Sequence, residues 1–434
     1  MGLKLRTSGR LLFKFEYLKK HTLFLTYSED MLNLTYTYRL KLTQQQSQTY
    51  EAWLETSRRV WNFALAQRKD WYSSRSCRID ACSRFREYII PADAPRPTFA
   101  SQCKALTQAR KTNPDLNAAH SQMLQQVLRR LEKAFIGMWE TGRGFPRFKK
   151  QGRMRSLLFP QLGINPYLGN QIKLPGIGWV KMHLSRPLPD GFAVKQAQVV
   201  KQASGWYVML TLQADIQIPD LMPHGQAVGI DLGLKSFLAT STGEQVVRPR
   251  FFVDLQRKLR LLQQRVSHKV KGSNNWRKAI AKVARLHEHI HDTRKDFHFK
   301  LAHQLCDQVG MIFAEDLNFK AWAKGMFSKH TLDAGFGEFL FILEWVSKKR
   351  GVYFALVNPN GTSQTCPNCN HHTGKKDLSE RVHHCGECGY TTDRDVAAAQ
   401  VVMQRGLAAV GHTVKMLGEG LSTSSLLTQE SPRL

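Results

Sequence analysis

Four cysteines near the carboxyl end constrain the fold more than any other feature of this chain. Residues 366–395 read CPNCNHHTGKKDLSERVHHCGECGYTTDRD. The pairs Cys366/Cys369 and Cys385/Cys388 flank a polar loop, a spacing that lets four thiolates close tetrahedrally on one structural Zn²⁺. His371, His372, His383 and His384 could each replace a thiolate, but four cysteines suffice and the imidazoles are expected to be free. Asp393 and Asp395 follow at once, so a metal clamp stands directly against acids that serve a catalytic centre or its substrate.

The remaining composition names the kind of partner. A net charge of +29 over 434 residues, with the basic side chains spread along the whole length, exceeds what solubility requires and points to a polyanion. A merely basic surface is the alternative, and self-repulsion would destabilise it. The length and the 42% hydrophobic content allow two or three folded domains. Cys77, Cys82, Cys103 and Cys306 follow no framework spacing, which fits a reducing cytoplasm better than a disulfide scaffold. The apolar stretch LLFKFEYLKKHTLFLTY is interrupted by Lys14, Glu16, Lys19 and Lys20, so neither a signal peptide nor a membrane span is expected.

Residues 1–30 show no clean period and read as an extension upstream of the first domain. Alternation over 32–42 predicts a half-buried strand. Thr43 and Gln46 then form a capping box ahead of a helix whose apolar face carries Tyr50, Trp53, Leu54, Val60, Trp61 and Leu65. Pro91, Pro95 and Pro97 precede a second helical stripe from Leu116 to Trp139. Both stripes are expected to pack as core rather than to hold a cofactor. Residues 141–155, TGRGFPRFKKQGRMR, set Phe145 and Phe148 among Arg143, Arg147, Lys149, Lys150 and Arg153. Such a segment can track phosphates and stack unpaired bases, or it is a solvated basic loop. Strand patterns from Gln171 to Ala214 complete, with the first strand, an antiparallel barrel or sandwich into which the helices are inserted.

After a linker with Pro219 and Pro223 a different domain begins. An apolar strand ends in Asp231, a hairpin turns near Thr242-Gly243, and two long basic helices over 251–305 join around Gly272. The strand MIFAE ends in Glu315, a Phe- and Trp-rich helix and the strand VYFALV lead to the cysteines, and Asp395 opens a last helix. Asp231, Glu315 and Asp395 therefore occupy comparable places. Hard oxygen donors suit Mg²⁺, and two such ions about 4 Å apart can activate water and stabilise a leaving 3′ oxygen in phosphodiester cleavage. Taken singly, Asp231 could be a turn former, Glu315 an edge charge and Asp395 a helix cap. His287, Glu288 and His291 match the H-E-x-x-H pattern of zinc proteases, but they lie in a basic, His-rich helix without a third ligand signature.

The ordered segments GFPRFKK, IKLPGIGWVK, VGIDLGLKSF, RKDFHFK, FAEDLNF, DAGFGEF, TSQTCPNCN and CGYTTDRDVAAA resemble TnpB, the transposon-encoded RNA-guided DNA nuclease family, whose carboxyl half is shared with compact type V CRISPR effectors. The resemblance runs from about Leu34 to Gly411. It implies a multidomain α+β protein. An RNase H-like RuvC nuclease domain would cover 223–359 and 391–413, with a zinc-ribbon insertion at 360–390. An oligonucleotide-binding β-barrel, the wedge, would cover 31–43 and 146–222, interrupted by a helical recognition domain at 44–145. Residues 414–434 would be a disordered tail. The resemblance also implies Asp231, Glu315 and Asp395 as the Mg²⁺-binding catalytic set, Asp393 as an auxiliary or capping residue, and Cys366, Cys369, Cys385 and Cys388 as ligands of structural Zn²⁺. It implies a noncoding guide RNA and target double-stranded DNA as partners of a monomer acting on the nucleoid in the cytoplasm. The family usually carries Asn two residues after the third acid, where this chain has Ala397. A guided repressor without cleavage, or a transposase, would share most of these features. The intact acid set argues against the first.

Overall fold

The computed structural model describes residues 32–411, apart from 77–89, 92, 164–165, 216–220 and 378. The amino-terminal extension and the carboxyl-terminal tail expected from the sequence lie outside the described residues, as do Cys77 and Cys82. The chain divides into two compact units, Met1–Ile218 and Pro219–Leu434.

In the first unit β1 (Leu32–Lys41) alternates as its sequence dictates, with Leu34, Tyr36, Tyr38 and Leu40 toward the core. The next element, α1 (Gln44–Ser76), starts at a reciprocal cap: the Thr43 amide donates to Gln46 Oε1 at 3.0 Å, and the Gln46 amide to Thr43 Oγ1 at 3.2 Å. A helix that the sequence pattern did not announce follows, α2 (Phe99–Thr112), capped by Thr98 and Ser101. Its buried residues are Gln102 and Leu106, too few for a visible stripe. The stripe expected from 116 to 139 is split between α3 (Pro114–Ala118) and α4 (Ser121–Thr141), because Pro114 restarts the helix and Ala119 and His120 are extended.

Leu124, Leu128, Leu131 and Phe135 of α4 share one core with Tyr50, Trp53 and Leu65 of α1. That core continues under an antiparallel sheet. Its strands are β2 (Ser156–Phe159), β3 (Tyr167–Leu168), β4 (Gln171–Leu174), β5 (Gly178–His183), β6 (Ala193–Lys201) and β7 (Trp206–Ala214), ordered β2-β6-β7-β1-β5-β4-β3. This corrects the expected barrel or sandwich to an open half-barrel, since β2 and β3 are its two ends and among the described residues no pairing joins them. Side-chain alternation marks which face is buried but does not encode closure.

The second unit is built on the order β10-β9-β8-β11-β12: β8 (Ala227–Leu232), β9 (Ser236–Thr240), β10 (Gln245–Val247), β11 (Met311–Glu315) and β12 (Tyr353–Val357). β8, β11 and β12 are mutually parallel, which requires long crossovers. The first crossover carries α5 (Gln256–Ser267) and α6 (Asn274–Gln308), joined through the Ser273 cap of α6. α5, at 12 residues, is shorter than the long helix expected. The second carries α7 (Phe319–Trp322), α8 (Ser328–Ala334) and α9 (Phe336–Arg350). β11 is buried along its whole length, as a strand covered on both faces must be. A two-stranded ribbon, β13 (Val382–His384) and β14 (Thr391–Asp393), leads into α10 (Arg394–Ala409). Among the described residues no helix is long and apolar enough to cross a membrane.

The approach of α10 to the sheet depends on two glycines. A Cβ on Gly229 of β8 would stand 2.0 Å from the Ala399 carbonyl oxygen, and one on Gly406 of α10 would stand 2.1 Å from the Phe313 ring. Gly229→Ala must therefore lift α10 off the sheet. An expected loss of about 3 kcal/mol or more, above the usual range for overpacking, is checked by denaturant unfolding. A variant as stable as the parent would contradict the close approach.

Candidate active site and metal centre

Side chains two apart on a strand share a face, so Asp231 points to the side on which Gly229 meets α10. Glu315 likewise shares its face with Phe313, which meets α10 at Gly406. The parallel register pairs Ile230 with Ala314, so Asp231 and Glu315 follow at the carboxyl ends of neighbouring strands. Asp395 lies in the first turn of α10, one helical turn before Ala399, and completes the group. Asp393 caps that helix by accepting from the Asp395 amide at 2.9 Å. Ala397 is buried in the same helix.

The electrostatics follow first from burial and, for the two aspartates, then from neighbouring like charges. The Asp231 carboxyl is pushed well above the ordinary aspartate range by loss of solvent, then by the charges of Glu315 and Asp395. Burial also raises Glu315, opposed by a hydrogen bond from the Thr362 hydroxyl and by Arg405. Asp395 is raised by burial and by Asp393, with Arg381, Lys235 and Arg394 opposing. A carboxyl whose folded pKa is raised holds its proton more tightly in the folded state, so stability falls as pH rises from the ordinary carboxylate range through the raised value. In EDTA at neutral pH, Asp231→Asn should accordingly melt a few degrees above the parent. Thermal melts with and without Mg²⁺ check this; a variant that melts lower in EDTA would show that these acids are not mutually strained.

Among the described residues, the four thiols form the one His/Cys/Asp/Glu group whose ligand atoms all lie within 4.8 Å of one another. Cys366 Sγ is 3.6 Å from Cys388 Sγ, and Cys369 Sγ is 3.6 Å from Cys385 Sγ. A tetrahedron of Zn–S bonds near 2.3 Å has edges of about 3.8 Å, so the cluster fits Zn²⁺ closely. The three carboxylates are spread more widely, and all their donors are hard oxygens. His383 is buried and engaged by the Lys376 side chain, and burial with that charge lowers its pKa to about 4. His384 meets Thr391 Oγ1 at 3.0 Å. These two imidazoles thus bond to side chains of the ribbon and stand outside the group of four thiols.

The basic segment 143–153 belongs to the first unit. Trp61 Nε1 donates to the Arg147 carbonyl at 3.1 Å, the Lys149 ammonium lies 4.4 Å from the Trp61 ring centre, and Phe145 packs edge-on against Phe135 at 5.3 Å. Burial and Arg130 lower the pKa of Lys149. Arg143, Arg147, Phe148, Lys150 and Arg153 remain exposed. His287 and His291 lie on the exposed side of α6, whose buried face carries Leu286 and Ile290. Sequence reasoning passed over Thr362, Lys235 and Arg381, which carry no local pattern and reach the acids through tertiary folding.

Three family models match. One described as "Probable transposase" (OrfB_IS605) covers residues 210–325, one described as "Cas12f1-like, TNB domain" covers 336–402, and a "Helix-turn-helix domain" model of the OrfB_IS605 set covers 31–77. In the structure that last segment holds β1 and the single helix α1. The "Putative RNA-guided DNA endonuclease InsQ" of Escherichia coli (strain K12) is 31% identical over 331 residues, 73% of this chain and 80% of that protein. A "Putative RNA-guided DNA endonuclease" of Streptomyces pristinaespiralis is 29% identical over 407 residues, 92% of this chain and 96% of that protein. Among solved structures, the protein of a Cas12f1-sgRNA-target DNA complex matches with a TM-score of 0.52 at 15% identity, over 92% of this chain and 90% of that one.

Proposed function

The chain belongs to the TnpB/OrfB family of transposon-encoded proteins, and from that premise we propose that it is an RNA-guided DNA endonuclease whose working centre is Asp231, Glu315 and Asp395. The observation that carries the proposal is the convergence of three carboxylates, from two parallel strand ends and one helix start, into a site that raises the pKa of each. A divalent cation held there would offset the negative charge that burial makes costly. The three acids would hold Mg²⁺, which when bound supplies a Lewis acid for phosphate oxygens and a more acidic water. The chain itself orients the donors: the Thr362 hydroxyl fixes Glu315, and the Asp393 cap fixes the backbone that carries Asp395.

In this proposal residues 223–359 and 391–413 form an RNase H-like RuvC domain, and residues 360–390 form a zinc ribbon held by Cys366, Cys369, Cys385 and Cys388. Residues 31–43 and 146–222 act as an oligonucleotide-binding wedge, with the recognition helices at 44–145. Guide RNA pairs with the target strand and supplies sequence specificity, while the +29 charge provides the phosphate-binding surface. Arg143, Phe145, Arg147, Phe148, Lys149, Lys150 and Arg153 are assigned to nucleic-acid contact, with Lys149 and Phe145 also anchoring their segment on α1 and α4. One chain acts per guide. The reading is tested by incubating the guide-loaded protein with matched and unmatched DNA: cutting confined to matched DNA supports it, and binding without cutting would make the protein a guided repressor.

A further inference from the structure

A second feature of the nuclease-like unit lies beside the acids and is not used by them. A cavity of about 670 Å³ is lined by Lys235, Arg248, Trp322, Phe327, His330 and Arg381. That volume falls within the roughly 300–1,000 Å³ of small-ligand sites. The cavity adjoins the carboxylates through its own lining. Gly233 and Lys235 follow Asp231 in the β8–β9 turn, and the charges of Lys235 and Arg381 act on Asp395.

Its chemistry is that of a polyanion with a flat ring. Arg248 is anchored by one bond, Nε donating to the Leu234 carbonyl at 2.7 Å, while its Nη1, removed from solvent, has no partner. His330 Nδ1 is likewise buried without a partner. A buried polar atom left unpaired costs free energy, and a ligand oxygen accepting from Arg248 Nη1 would recover it. Trp322 is held by Phe319 and Phe336, at ring-centre separations of 5.5 and 6.4 Å, yet stays 37% exposed; Phe327 is 49% exposed. Rigid aromatic faces beside cations are how proteins hold unpaired nucleotides.

We propose that this cavity is a nucleotide subsite: it takes one nucleotide of the strand being cut, adjacent to the scissile phosphate, with the base against Trp322 and Phe327 and a phosphate on Lys235, Arg248 and Arg381. The subsite rests on the endonuclease reading, and it adds that the unpaired base next to the cut contributes to the rate whatever its identity. Stacking tolerates any base but requires one.

The test uses the guide-loaded full chain, target DNA with an abasic nucleotide at each position flanking the cut, and the parent, Trp322→Ala and Trp322→Phe proteins. Single-turnover cleavage and target binding are both read. In the parent, one abasic position should slow cleavage roughly tenfold, the scale of one lost stack. Trp322→Ala should slow cleavage of intact DNA by a similar factor and become indifferent to that abasic position, with binding unchanged, while Trp322→Phe keeps the parent behaviour. Penalties from Trp322→Ala and the abasic position that simply multiply overturn the subsite. If Trp322→Ala fails to fold, the parent's abasic series decides: indifference at every flanking position overturns it. A parent that cuts no matched DNA refutes the endonuclease reading and the subsite together, whereas normal cutting with abasic indifference refutes the subsite alone.

Discussion

Asp231→Ala, loaded with guide RNA, should bind matched DNA as the parent does and cut it more slowly by at least about 10⁴-fold, the scale of removing one member of a catalytic unit. The separation of binding from cutting is expected because Asp231 stands at a strand end among two other carboxylates. Removing it relieves like-charge repulsion, so the fold should not suffer. Asp395→Ala should behave in the same way, and the double variant should be little worse than either single one, since residues acting as a unit are not additive. Gel-shift and single-turnover cleavage assays on the same preparations check both halves. Near-parent cutting by Asp231→Ala would remove the carboxylate centre from the account.

The second large effect concerns the thiols. Replacing Cys366, Cys369, Cys385 and Cys388 with serine should abolish Zn²⁺ content and slow cleavage by about 10²-fold or more. The path runs through the chain itself: the ribbon strand β14 ends in Asp393, whose side chain caps α10 at the Asp395 amide. Tyr390 also donates to Gln400 at 3.0 Å, tying the ribbon to the same helix. Displacing a catalytic group by about 1 Å can cost that factor. The core around Phe237, Leu305, Ile312 and Leu343 does not include the ribbon, so the rest of the unit should stay folded. Metal analysis and cleavage on the quadruple variant decide; full activity without zinc would refute the structural role.

The cysteine pairs, the Thr43–Gln46 cap, β1 and the ends of β8 and β11 were legible because each rests on local spacing. Periods of two and 3.6 residues also located most strands and helices. What stayed hidden depends on distant approach. α2 buries only Gln102 and Leu106, and β2 and β3 are too short to alternate visibly beside a basic segment. The open edge of the half-barrel is set by which strands fail to meet. Gly229 and Gly406 look like ordinary helix and strand defects until α10 is laid across the sheet. Thr362 is 47 residues from Glu315, and Arg248, Trp322 and Arg381 come from three separate segments. The acids themselves each had an ordinary structural explanation; their mutual effect on Asp231 is a property of the folded unit alone.

The most direct measurement sequences the RNA that copurifies with the protein and then assays DNA matched to that RNA for cleavage in Mg²⁺ and in EDTA. The account predicts a discrete scaffold with a variable end, and cutting only where the DNA matches that end and Mg²⁺ is present. Random RNA fragments, or cutting that ignores the match or survives EDTA, would contradict it.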